Sequence, residues 1–325
     1  MLLSIIVPVR NEIDYIEQTF NSIIQSASDI NCEIIFVDGK STDGTFEWLK
    51  VETEKFKNCS LLINENKFVN FGFNLAFPKT TGKYIARLDG HTTYPKNYFK
   101  NAIKIFKANS HISIIGGPAI HEGLSWIGKT IANCMMNPFG VGGSSFRTSI
   151  SEMYVDTVPF AIYKRSVFNE LGLYNEKLIR NQDDEFNYRC RSQGYKILMH
   201  PELKTKYFVR ENLTDLIKQY YSYGFYKPDV FELVSKGRSW YHFVPSMSII
   251  SIPFLLYLVS FNMMFFIPFL SYVLMCIFIS IGCQDDFKMI FLSIIVFPCL
   301  HFSYGIGFII GFLRVKLKNV VNSTL

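Results

Sequence analysis

A long apolar stretch without a charged residue, Phe243 to Gly282, constrains the fold of this chain more than any other feature. It contains 40 residues, whereas one helix needs only about 20 apolar residues to cross a membrane. A second apolar run, Met289 to Leu313, follows after a short polar segment. The sequence therefore predicts a polar domain at 1–242 and a membrane tail at 243–325. Two or three apolar helices are expected in the tail, near 243–261, 263–282 and 288–313.

The number of spans decides on which side of the membrane the chain ends. With three spans, the basic residues before the tail would lie on the opposite side from those after it. These residues are Lys236 and Arg238 before the tail, and Arg314, Lys316 and Lys318 after it. The positive-inside rule favours an even number of spans. We therefore expect that one apolar segment, such as the region Pro245 to Pro253, lies in the interface instead of crossing.

The charge balance argues against nucleic-acid binding. The net charge is +6 in 325 residues, with no dense block of lysine and arginine. A surplus this small suits a modest attraction to anionic lipid headgroups. The seven cysteines show no C-x-x-C spacing, so neither a disulfide framework nor a zinc site is indicated.

The first eight residues, Met1 to Pro8, are mostly apolar but do not resemble a signal peptide. They have no basic segment and no small-residue cleavage site, and the charged residues Arg10 and Glu12 follow at once. We interpret them as a buried first strand. This interpretation predicts that the 1–242 domain lies in the cytoplasm.

Short apolar runs alternate with helical patterns in the first hundred residues, which is typical of an α/β fold with a mostly parallel sheet. Strand-like runs occur at Leu2–Val9, Glu33–Val37, Leu61–Ile63 and Tyr84–Leu88, and apolar residues recur at helical spacing from Ile13 to Ile24. Ligands bind such sheets at the carboxyl ends of the strands. The polar residues that follow these runs are therefore the first candidates for a site.

Asp38 and Asp43 bracket a loop of small and polar residues after the second run. Their carboxylates suit hydrogen bonds to a base or a ribose. Ser41, Thr42 and Asp43 are also good caps for a helix that begins near Phe46, so capping is a second interpretation. Both functions are compatible if Asp43 caps the helix and Asp38 binds a ligand.

Asp89 and His91 follow directly on the fourth run and bring a carboxylate and an imidazole close together. Such a pair suits Mg²⁺ or Mn²⁺ bridging a diphosphate, because a metal held mainly by substrate phosphates needs few protein ligands. A turn formed by Asp89 and Gly90 with an incidental histidine is the alternative.

Three acids in a row, Asp183, Asp184 and Glu185, stand between Arg180 and Arg189. At the start of a helix, acids are favourable partners of the helix dipole. A carboxylate that is partly desolvated beside an arginine can also serve as a general base. Both interpretations stay open from these residues alone.

Two further segments have the composition of a binding surface. The glycine-rich stretch Asn137 to Ser145 suits either a mobile loop over a site or a plain surface turn. The segment Gln219 to Lys227 combines aromatic residues with a cation next to the tail. It suits a sugar platform with Lys227 facing a pyrophosphate, and equally an aromatic belt at the membrane interface.

Taken in order, these segments resemble the family 2 inverting glycosyltransferases. The matching motifs are Ile5–Glu12, Val37–Thr45, Gly82–His91 and the run that contains Asp183. Three further segments and a longer stretch around Asp183 are similar to the succinoglycan-biosynthesis type of glucosyltransferase from bacterial exopolysaccharide synthesis, so the resemblance extends over nearly the whole chain. These segments are Pro138–Arg147, Val155–Phe160, Arg180–Arg189 and His301–Phe308.

The resemblance implies an A-type glycosyltransferase fold and a role for each motif. Residues expected to line the donor pocket are Pro8, Arg10, Glu12, Asp38, Asn74, Arg87 and Asp89, with Asp38 reaching a uracil base. The resemblance implies that Asp89 and His91 hold a divalent metal, Mg²⁺ or Mn²⁺, although this chain has His91 where most of the family has a second aspartate. The catalytic base falls on Asp183.

The implied activity is inverting transfer of a hexose, with glucose favoured, from a UDP-sugar to a polyprenyl-diphosphate-linked saccharide at the bacterial inner membrane. The Gln-x-x-Arg-Trp element of processive synthases is replaced here by Gln219–Tyr223, which favours addition of a single sugar. A processive synthase and a non-catalytic nucleotide-sugar-binding protein are the alternatives.

Overall fold

The computed structural model describes residues 1–234 and 239–324 of the chain. These residues form two compact units. The first contains Met1–Ile120 and Ser149–Phe208, and the second contains His121–Thr148 and Val209–Leu325. Lys236 and Arg238, on which the expected topology partly depends, lie outside the described residues. The predicted boundary after His242 separates a polar domain from a membrane tail, and it stays a prediction.

Eleven strands occur in the described residues. They are β1 (Leu3–Val9), β2 (Cys32–Asp38), β3 (Cys59–Ile63), β4 (Tyr84–Arg87), β5 (Thr92–Thr93), β6 (Ile114–Gly116), β7 (Ala119–Glu122), β8 (Met153–Val155), β9 (Ile162–Lys164), β10 (Ile197–Met199) and β11 (Thr205–Phe208). Eight of them form a sheet in the order β3-β2-β1-β4-β9-β6-β10-β8, and a small sheet has the order β5-β11-β7. In the large sheet β8 and β9 are antiparallel to their neighbours, and the other pairs are parallel. The predicted mostly parallel α/β sheet is confirmed.

Strand β1 lies between β2 and β4, and all seven of its residues are buried. A parallel strand that is covered on both faces needs a continuous apolar sequence, which explains the run Leu3 to Val9. Its register places Val9 opposite Asp38 of β2 and Ile6 opposite Arg87 of β4. The carboxyl ends of the three strands therefore meet at one edge of the sheet.

Thirteen α-helices occur in the described residues. They are α1 (Ile13–Ala27), α2 (Thr45–Thr53), α3 (Val69–Ala76), α4 (Tyr98–Ala108), α5 (Trp126–Met136), α6 (Pro138–Val141), α7 (Ser145–Thr148), α8 (Arg165–Leu171), α9 (Gln182–Ser192), α10 (Leu213–Leu233), α11 (Val244–Val259), α12 (Ile267–Cys283) and α13 (Phe287–Thr324). The first crossover, α1, buries Ile16, Phe20 and Ile23 at helical spacing, as the sequence pattern predicts. The ring of Phe20 stacks on Phe36 of β2 at 5.1 Å. This contact fixes α1 against the sheet.

Two helical segments of the second unit are long and apolar enough to cross a membrane, Met263–Cys283 and Phe287–Asn319. Helix α11, Val244–Val259, is apolar but shorter. Of the two or three apolar helices expected from the sequence, two therefore have the length of a span. The third coincides with the Pro245–Pro253 region for which an interfacial position is predicted.

The glycine-rich segment Asn137–Ser145 is not irregular throughout, because Pro138–Val141 form α6 and Ser145 begins α7. Phe139 of α6 packs on Phe297 and on His301 of α13, with ring centroids 5.1 and 5.0 Å apart. His301 Nε2 donates to the carbonyl of Phe139 at 2.7 Å, and its Nδ1 accepts from the Tyr272 hydroxyl at 2.8 Å. Composition alone could not reveal this attachment, since the partners are more than a hundred residues away.

Helix α10, which contains the aromatic segment 219–227, packs along α13 in the same unit. Phe231 meets Phe308 edge to face at 6.1 Å. Arg314 of α13 forms an ion pair with Asp229 and lies over the ring of Phe225 at 4.2 Å. The segment therefore belongs to a helix that is tied to a candidate membrane span.

Candidate active site

Two loops at the carboxyl edge of the first unit are joined by hydrogen bonds. After β1, the backbone N–H of Asn11 donates to Ser41 Oγ at 2.9 Å, and Asn11 Oδ1 accepts from the Thr42 N–H at 2.9 Å. The Glu12 N–H donates to Thr45 Oγ1 at 2.9 Å. Asn11 and Lys40 have positive φ angles of 55° and 58°, which turn the chain sharply at the strand ends. The two loops thus form one cradle.

Asp38 and Asp43 have different tasks in this cradle. The carboxylate of Asp38 is 1% exposed and accepts from the Ser41 hydroxyl at 2.5 Å and from the Ser41 N–H at 2.9 Å. Asp43 accepts from the Thr45 N–H and the Ile13 N–H, both at 3.0 Å, so it ties the starts of α1 and α2 together. Burial raises the pKa of Asp43, but these bonds and that of the Thr45 hydroxyl outweigh it and lower the pKa below its ordinary value. Asp43 therefore stabilises the starts of two helices, although the N-cap residue of α2 is Gly44 and not Asp43. Asp38 lies buried beneath the cradle.

Three of the predicted donor-pocket residues belong to β1 and the loop after it. Pro8 is a buried residue of β1 opposite Val37, and Arg10 is exposed just beyond the strand. Glu12 accepts from His91 Nδ1 at 2.8 Å. This bond joins the loop after β1 to the residues after β4.

The close approach of these loops explains why the residue between Asp89 and His91 is a glycine. A Cβ atom at Gly90 would lie 2.8 Å from Cγ1 of Val9 and 3.0 Å from Cγ of Glu12. Neither atom is at the far end of a flexible side chain, so neither could move aside easily. Gly90 therefore brings Asp89 and His91 against the end of β1.

Arg87 and Asp89 form an ion pair at the end of β4, with 2.9 Å between Arg87 Nη1 and Asp89 Oδ1. Arg87 is only 5% exposed. Burial lowers the pKa of its guanidinium, but the carboxylates of Asp89 and Asp183 outweigh that effect and raise the pKa. Its Nε atom is buried and has no hydrogen-bond partner among residues 1–234 and 239–324. Arg87 thus places a permanent positive charge close to the carboxylates of Asp89 and Asp183.

Asp183 is half-buried in the first turn of α9, directly after Asn181 with a left-handed φ of 58° and Gln182. Burial is the largest cause that raises the pKa of its carboxyl, and repulsion by Asp184 and Asp89 raises it further. The charge of Arg87 acts in the opposite direction. A carboxylate whose pKa is raised toward the working pH accepts a proton more readily, which suits a general base.

The arginine beside Asp183 is not one of those that flank it in the sequence. Arg189 instead binds Glu185 through two hydrogen bonds, at 2.8 and 3.0 Å, and donates to the carbonyls of Leu171 and Leu173. Glu185 is thereby committed to a structural ion pair within α9. Asp183, by contrast, lies close enough to Arg87 and Asp89 for their charges to act on its pKa.

The segment before α9 is held by two asparagines of α3. Asn74 Nδ2 donates to the carbonyl of Tyr174 at 2.9 Å and to Glu176 at 3.0 Å. Asn70 Nδ2 donates to the carbonyls of Asn175 and Leu178 at 3.0 and 2.8 Å. These bonds fix the chain that leads to Asp183, a task that the resemblance did not reveal for Asn74.

Two tyrosines near the carboxylates were missed in the sequence analysis. The charge of Asp183 acts on the buried phenols of Tyr163 and Tyr174, and burial is the first cause that raises the pKa of both. Tyr163 also donates to Asn187 of α9 at 3.1 Å. Tyr163 lies three positions after the end of the matched segment Val155–Phe160, and this proximity was the only available signal.

The predicted metal pair has ligand chemistry that fits a divalent cation completed by substrate phosphates. Because Nδ1 of His91 donates to Glu12, a metal held by this ring would bind through Nε2, and Asp89 would supply a carboxylate. In the described part of the chain, no group of three or more His, Cys, Asp or Glu residues could hold a metal by itself.

Two solved structures of similar fold contain a bound nucleotide-sugar. The mannosyltransferase PcManGT from Pyrobaculum calidifontis, in complex with GDP-Man and Mn²⁺, aligns with a TM-score of 0.63 and 14% identity over 93% of this chain and 86% of its own. S. aureus TarS 1–349 in complex with UDP-GlcNAc aligns with a TM-score of 0.50 and 18% identity over 68% of this chain and 65% of its own. With its mostly parallel sheet, the first unit has the A-type glycosyltransferase fold.

The chain belongs to glycosyl transferase family 2, because residues 4–172, more than half of its length, match the model of that family. The succinoglycan biosynthesis protein ExoA of Rhizobium meliloti is 28% identical over 222 residues, 68% of this chain and 67% of that protein. A Methanococcus voltae relative is 30% identical over 233 residues, 68% of this chain and 71% of its own. It is a dolichyl N-acetyl-alpha-D-glucosaminyl phosphate 3-beta-D-2,3-diacetamido-2,3-dideoxy-beta-D-glucuronosyltransferase. The resemblance inferred from the motifs is confirmed.

Proposed function

We propose that this glycosyltransferase transfers one hexose, with glucose favoured, from a UDP-sugar to a polyprenyl-diphosphate-linked saccharide and inverts the anomeric centre. The observation that carries the proposal is Asp183, a half-buried carboxylate with a raised pKa near the Arg87–Asp89 ion pair. This arrangement offers a proton acceptor next to groups that bind a charged donor.

Donor binding is assigned to the cradle at the carboxyl edge. Pro8, Arg10, Glu12 and Asp38 surround it, and the buried carboxylate of Asp38 suits hydrogen bonds to the uracil. Arg87 stabilises negative charge at the end of β4, and Asn74 supports the wall formed by Tyr174. The nucleotide-sugars bound to PcManGT and TarS support this class of donor.

Asp89 and His91 would hold Mg²⁺ or Mn²⁺ together with the donor diphosphate. When bound, such an ion neutralises charge on the leaving nucleoside diphosphate. Glu12 keeps His91 in one tautomer and orientation, and Arg87 holds Asp89. The Mn²⁺ in the PcManGT complex supports the assignment.

Asp183 takes the proton from the acceptor hydroxyl while that oxygen attacks C1 of the donor sugar. The new C–O bond forms as the bond from C1 to the diphosphate oxygen breaks, and the nucleoside diphosphate leaves with the electron pair. Because the attack comes from the face opposite the leaving group, one displacement converts an α-linked donor into a β-linked product.

A lipid-linked acceptor suits the apolar helices of the second unit and the dolichyl-phosphate-linked substrate of the Methanococcus relative. We place residues 1–242 in the cytoplasm and the tail 243–325 in the bacterial inner membrane. Addition of a single sugar is preferred over processive synthesis because the segment Gln219–Tyr223 lacks the Gln-x-x-Arg-Trp element.

The proposal is tested by incubating membranes that contain the protein with a panel of nucleotide-sugars and a polyprenyl-diphosphate-linked saccharide. UDP-glucose should give a product with one added β-linked hexose, and GDP-mannose should give none. A ladder of products would indicate a processive synthase. Binding of UDP-sugars without any product would indicate a non-catalytic protein.

A further inference from the structure

The segment Val155–Phe160, which the resemblance singles out and to which the proposed function gives no role, ends on a strained residue. Phe160 has a φ angle of 50°, in the left-handed region. Glycine adopts this conformation at no steric cost, whereas for a bulky side chain it is an outlier. Such strain persists only where the surrounding structure imposes it, and it is concentrated at functional sites. The contacts of Phe160 therefore indicate what the strain serves.

Phe160 lies just before β9, beside the strand that carries Arg87. Because β9 is antiparallel to β4, its amino end meets the carboxyl end of β4. The Arg87 N–H donates to the carbonyl of Ala161, the residue after Phe160, at 3.1 Å. Asp89 and His91 follow from the same end of β4. Phe160 thus lies at the edge of the sheet where the proposed metal pair is found.

A hydrogen bond from α4 holds the strained backbone of Phe160. Its carbonyl accepts from the hydroxyl of Tyr98 at 2.9 Å, and both residues are buried. Burial raises the pKa of the Tyr98 phenol, so the hydroxyl stays protonated and remains a donor. The bond fixes the peptide group of Phe160 and thereby keeps the ring in one place.

The ring of Phe160 contacts two tyrosines. It meets Tyr94 edge to face, with ring centroids 6.1 Å apart, and stacks on Tyr207 at 6.2 Å. The hydroxyl of Tyr94 accepts from the backbone N–H of Asp89 at 3.2 Å. The ring of Tyr207 meets that of His91 edge to face at 5.0 Å. One ring therefore supports both tyrosines, of which one bonds Asp89 and the other contacts His91.

Strand β11 brings Tyr207 to His91. The N–H of Phe208, the next residue, donates to the carbonyl of His91 at 3.0 Å, and Tyr207 lies opposite Thr92 in the register of β5 and β11. Glu12 bonds Nδ1 of the His91 ring at 2.8 Å. The backbone and the ring of His91 are thus held by separate partners, and the Tyr207 ring is one of those that set the orientation of the imidazole.

We propose that Phe160 is a positioning residue, which acts through Tyr94 and Tyr207 to hold Asp89 and His91 in the relative orientation that a divalent cation needs. This role rests on the metal binding proposed above for the two residues. A cation completed by substrate phosphates has few protein ligands, so its affinity depends strongly on how these are oriented. Without the Phe160 ring, the two tyrosines lose a common contact, and both ligands lose support.

The test is Mn²⁺ binding to the full chain in detergent micelles in the presence of UDP, measured by electron paramagnetic resonance of free Mn²⁺. Phe160→Ala should weaken Mn²⁺ binding by about tenfold. Phe160→Gly relieves the backbone strain but does not restore the ring, so it should bind Mn²⁺ as weakly. Phe160→Leu keeps most of the buried volume and should lose less, but still measurably. The Kd of UDP without metal should stay that of the wild type in all three variants.

Phe106→Ala is the matched control. Phe106 is as deeply buried as Phe160, and its ring stacks on Tyr84 at the opposite end of β4, with 4.8 Å between the centroids. Phe106→Ala should therefore bind Mn²⁺ like the wild type. Unchanged Mn²⁺ affinity in every Phe160 variant that folds would overturn the role of Phe160. An equal loss in Phe106→Ala, or a parallel loss of metal-free UDP binding, would also overturn it, because the effect would then be one of core packing.

The Mn²⁺ assay needs no turnover, so its outcome is separate from that for sugar transfer. Mn²⁺ binding that depends on Phe160, without any transfer of a sugar, counts against the proposed reaction alone. Transfer together with Mn²⁺ binding that does not depend on Phe160, or with no Mn²⁺ binding, counts against the role of Phe160 alone. A wild type that neither binds Mn²⁺ with UDP nor transfers a sugar would overturn both.

Discussion

Asn74 bonds both polar groups of the Tyr174 backbone: its Nδ2 donates to the carbonyl at 2.9 Å, and its Oδ1 accepts from the N–H at 3.2 Å. The phenol of Tyr174 in turn lies close enough to Arg87 and Asp183 for their charges to act on its pKa. A side chain of α3 thus holds the backbone that carries a ring beside the proposed base. We therefore propose that Asn74 is a positioning residue, in addition to the place near the donor that the family pattern gives it.

Replacing Asn74 with Ala should lower kcat by about tenfold, because a displaced Tyr174 loosens the surroundings of Asp183. The Kd of the UDP-sugar should stay nearly unchanged in calorimetry. Leu75→Ala, at the next and exposed position of α3, is the control and should leave both quantities as in the wild type. A rise in the Kd with unchanged kcat would show instead that Asn74 acts through donor contacts.

The bond between Glu12 and His91 predicts how metal binding responds to mutation. Glu12→Ala should weaken Mn²⁺ binding in the presence of UDP by about tenfold to a hundredfold, because His91 loses the partner that orients it. Glu12→Gln keeps an acceptor oxygen for Nδ1 and should lose less. Electron paramagnetic resonance of free Mn²⁺ measures this without turnover. Equal Mn²⁺ affinity in all three proteins would contradict the assignment of His91 as a ligand.

Asp184 predicts a shift in the pH dependence of activity. Its negative charge raises the pKa of Asp183, so Asp184→Asn should lower that pKa. Because the base must be ionised to accept a proton, the acidic limb of kcat/KM should move to lower pH. Asp14→Asn, which removes an exposed carboxylate of α1, should leave the limb in place. An acidic limb that stays in place or moves upward in Asp184→Asn would argue that Asp183 does not control it.

The two spans predict the topology of the tail. If Met263–Cys283 and Phe287–Asn319 cross the membrane and α11 lies in the interface, the chain ends on the same side as the 1–242 domain. The turn at Asp285 and Asp286 should then lie on the opposite side. Reporter fusions after residue 285 and after residue 325 measure this. Fusions that report the same side would show that Phe287–Asn319 does not cross the membrane.

The sequence allowed the strands of the first half to be predicted, because each is a buried apolar run with a polar loop after it. Leu3–Val9 begins one residue later than the predicted run, and Cys32–Asp38 extends one residue beyond the predicted run at each end. Their neighbouring positions in the sheet then place Asp38 and Arg87 at a common edge. The local sequence sufficed here because every central strand of a parallel sheet is buried on both faces and needs a continuous apolar run.

The partners of the candidate base could not be predicted in the same way. Arg87 and Asp183 are far apart in the sequence, and local reasoning pointed to Arg180 and Arg189, one of which pairs with Glu185 instead. Asn74 and Phe139 show the same limit. Their bonds to Tyr174 and His301 depend on tertiary packing, and no pattern in the surrounding residues announces them.

The most direct test of the account is the activity of Asp183→Asn with a UDP-sugar and a polyprenyl-diphosphate-linked acceptor. Transfer should fall by about a hundredfold to ten-thousandfold, while the Kd of the UDP-sugar stays close to that of the wild type, and Asp184→Asn should remain active. The wild-type product should be β-linked. Turnover retained by Asp183→Asn and lost in Asp184→Asn would contradict the assignment of the base to Asp183.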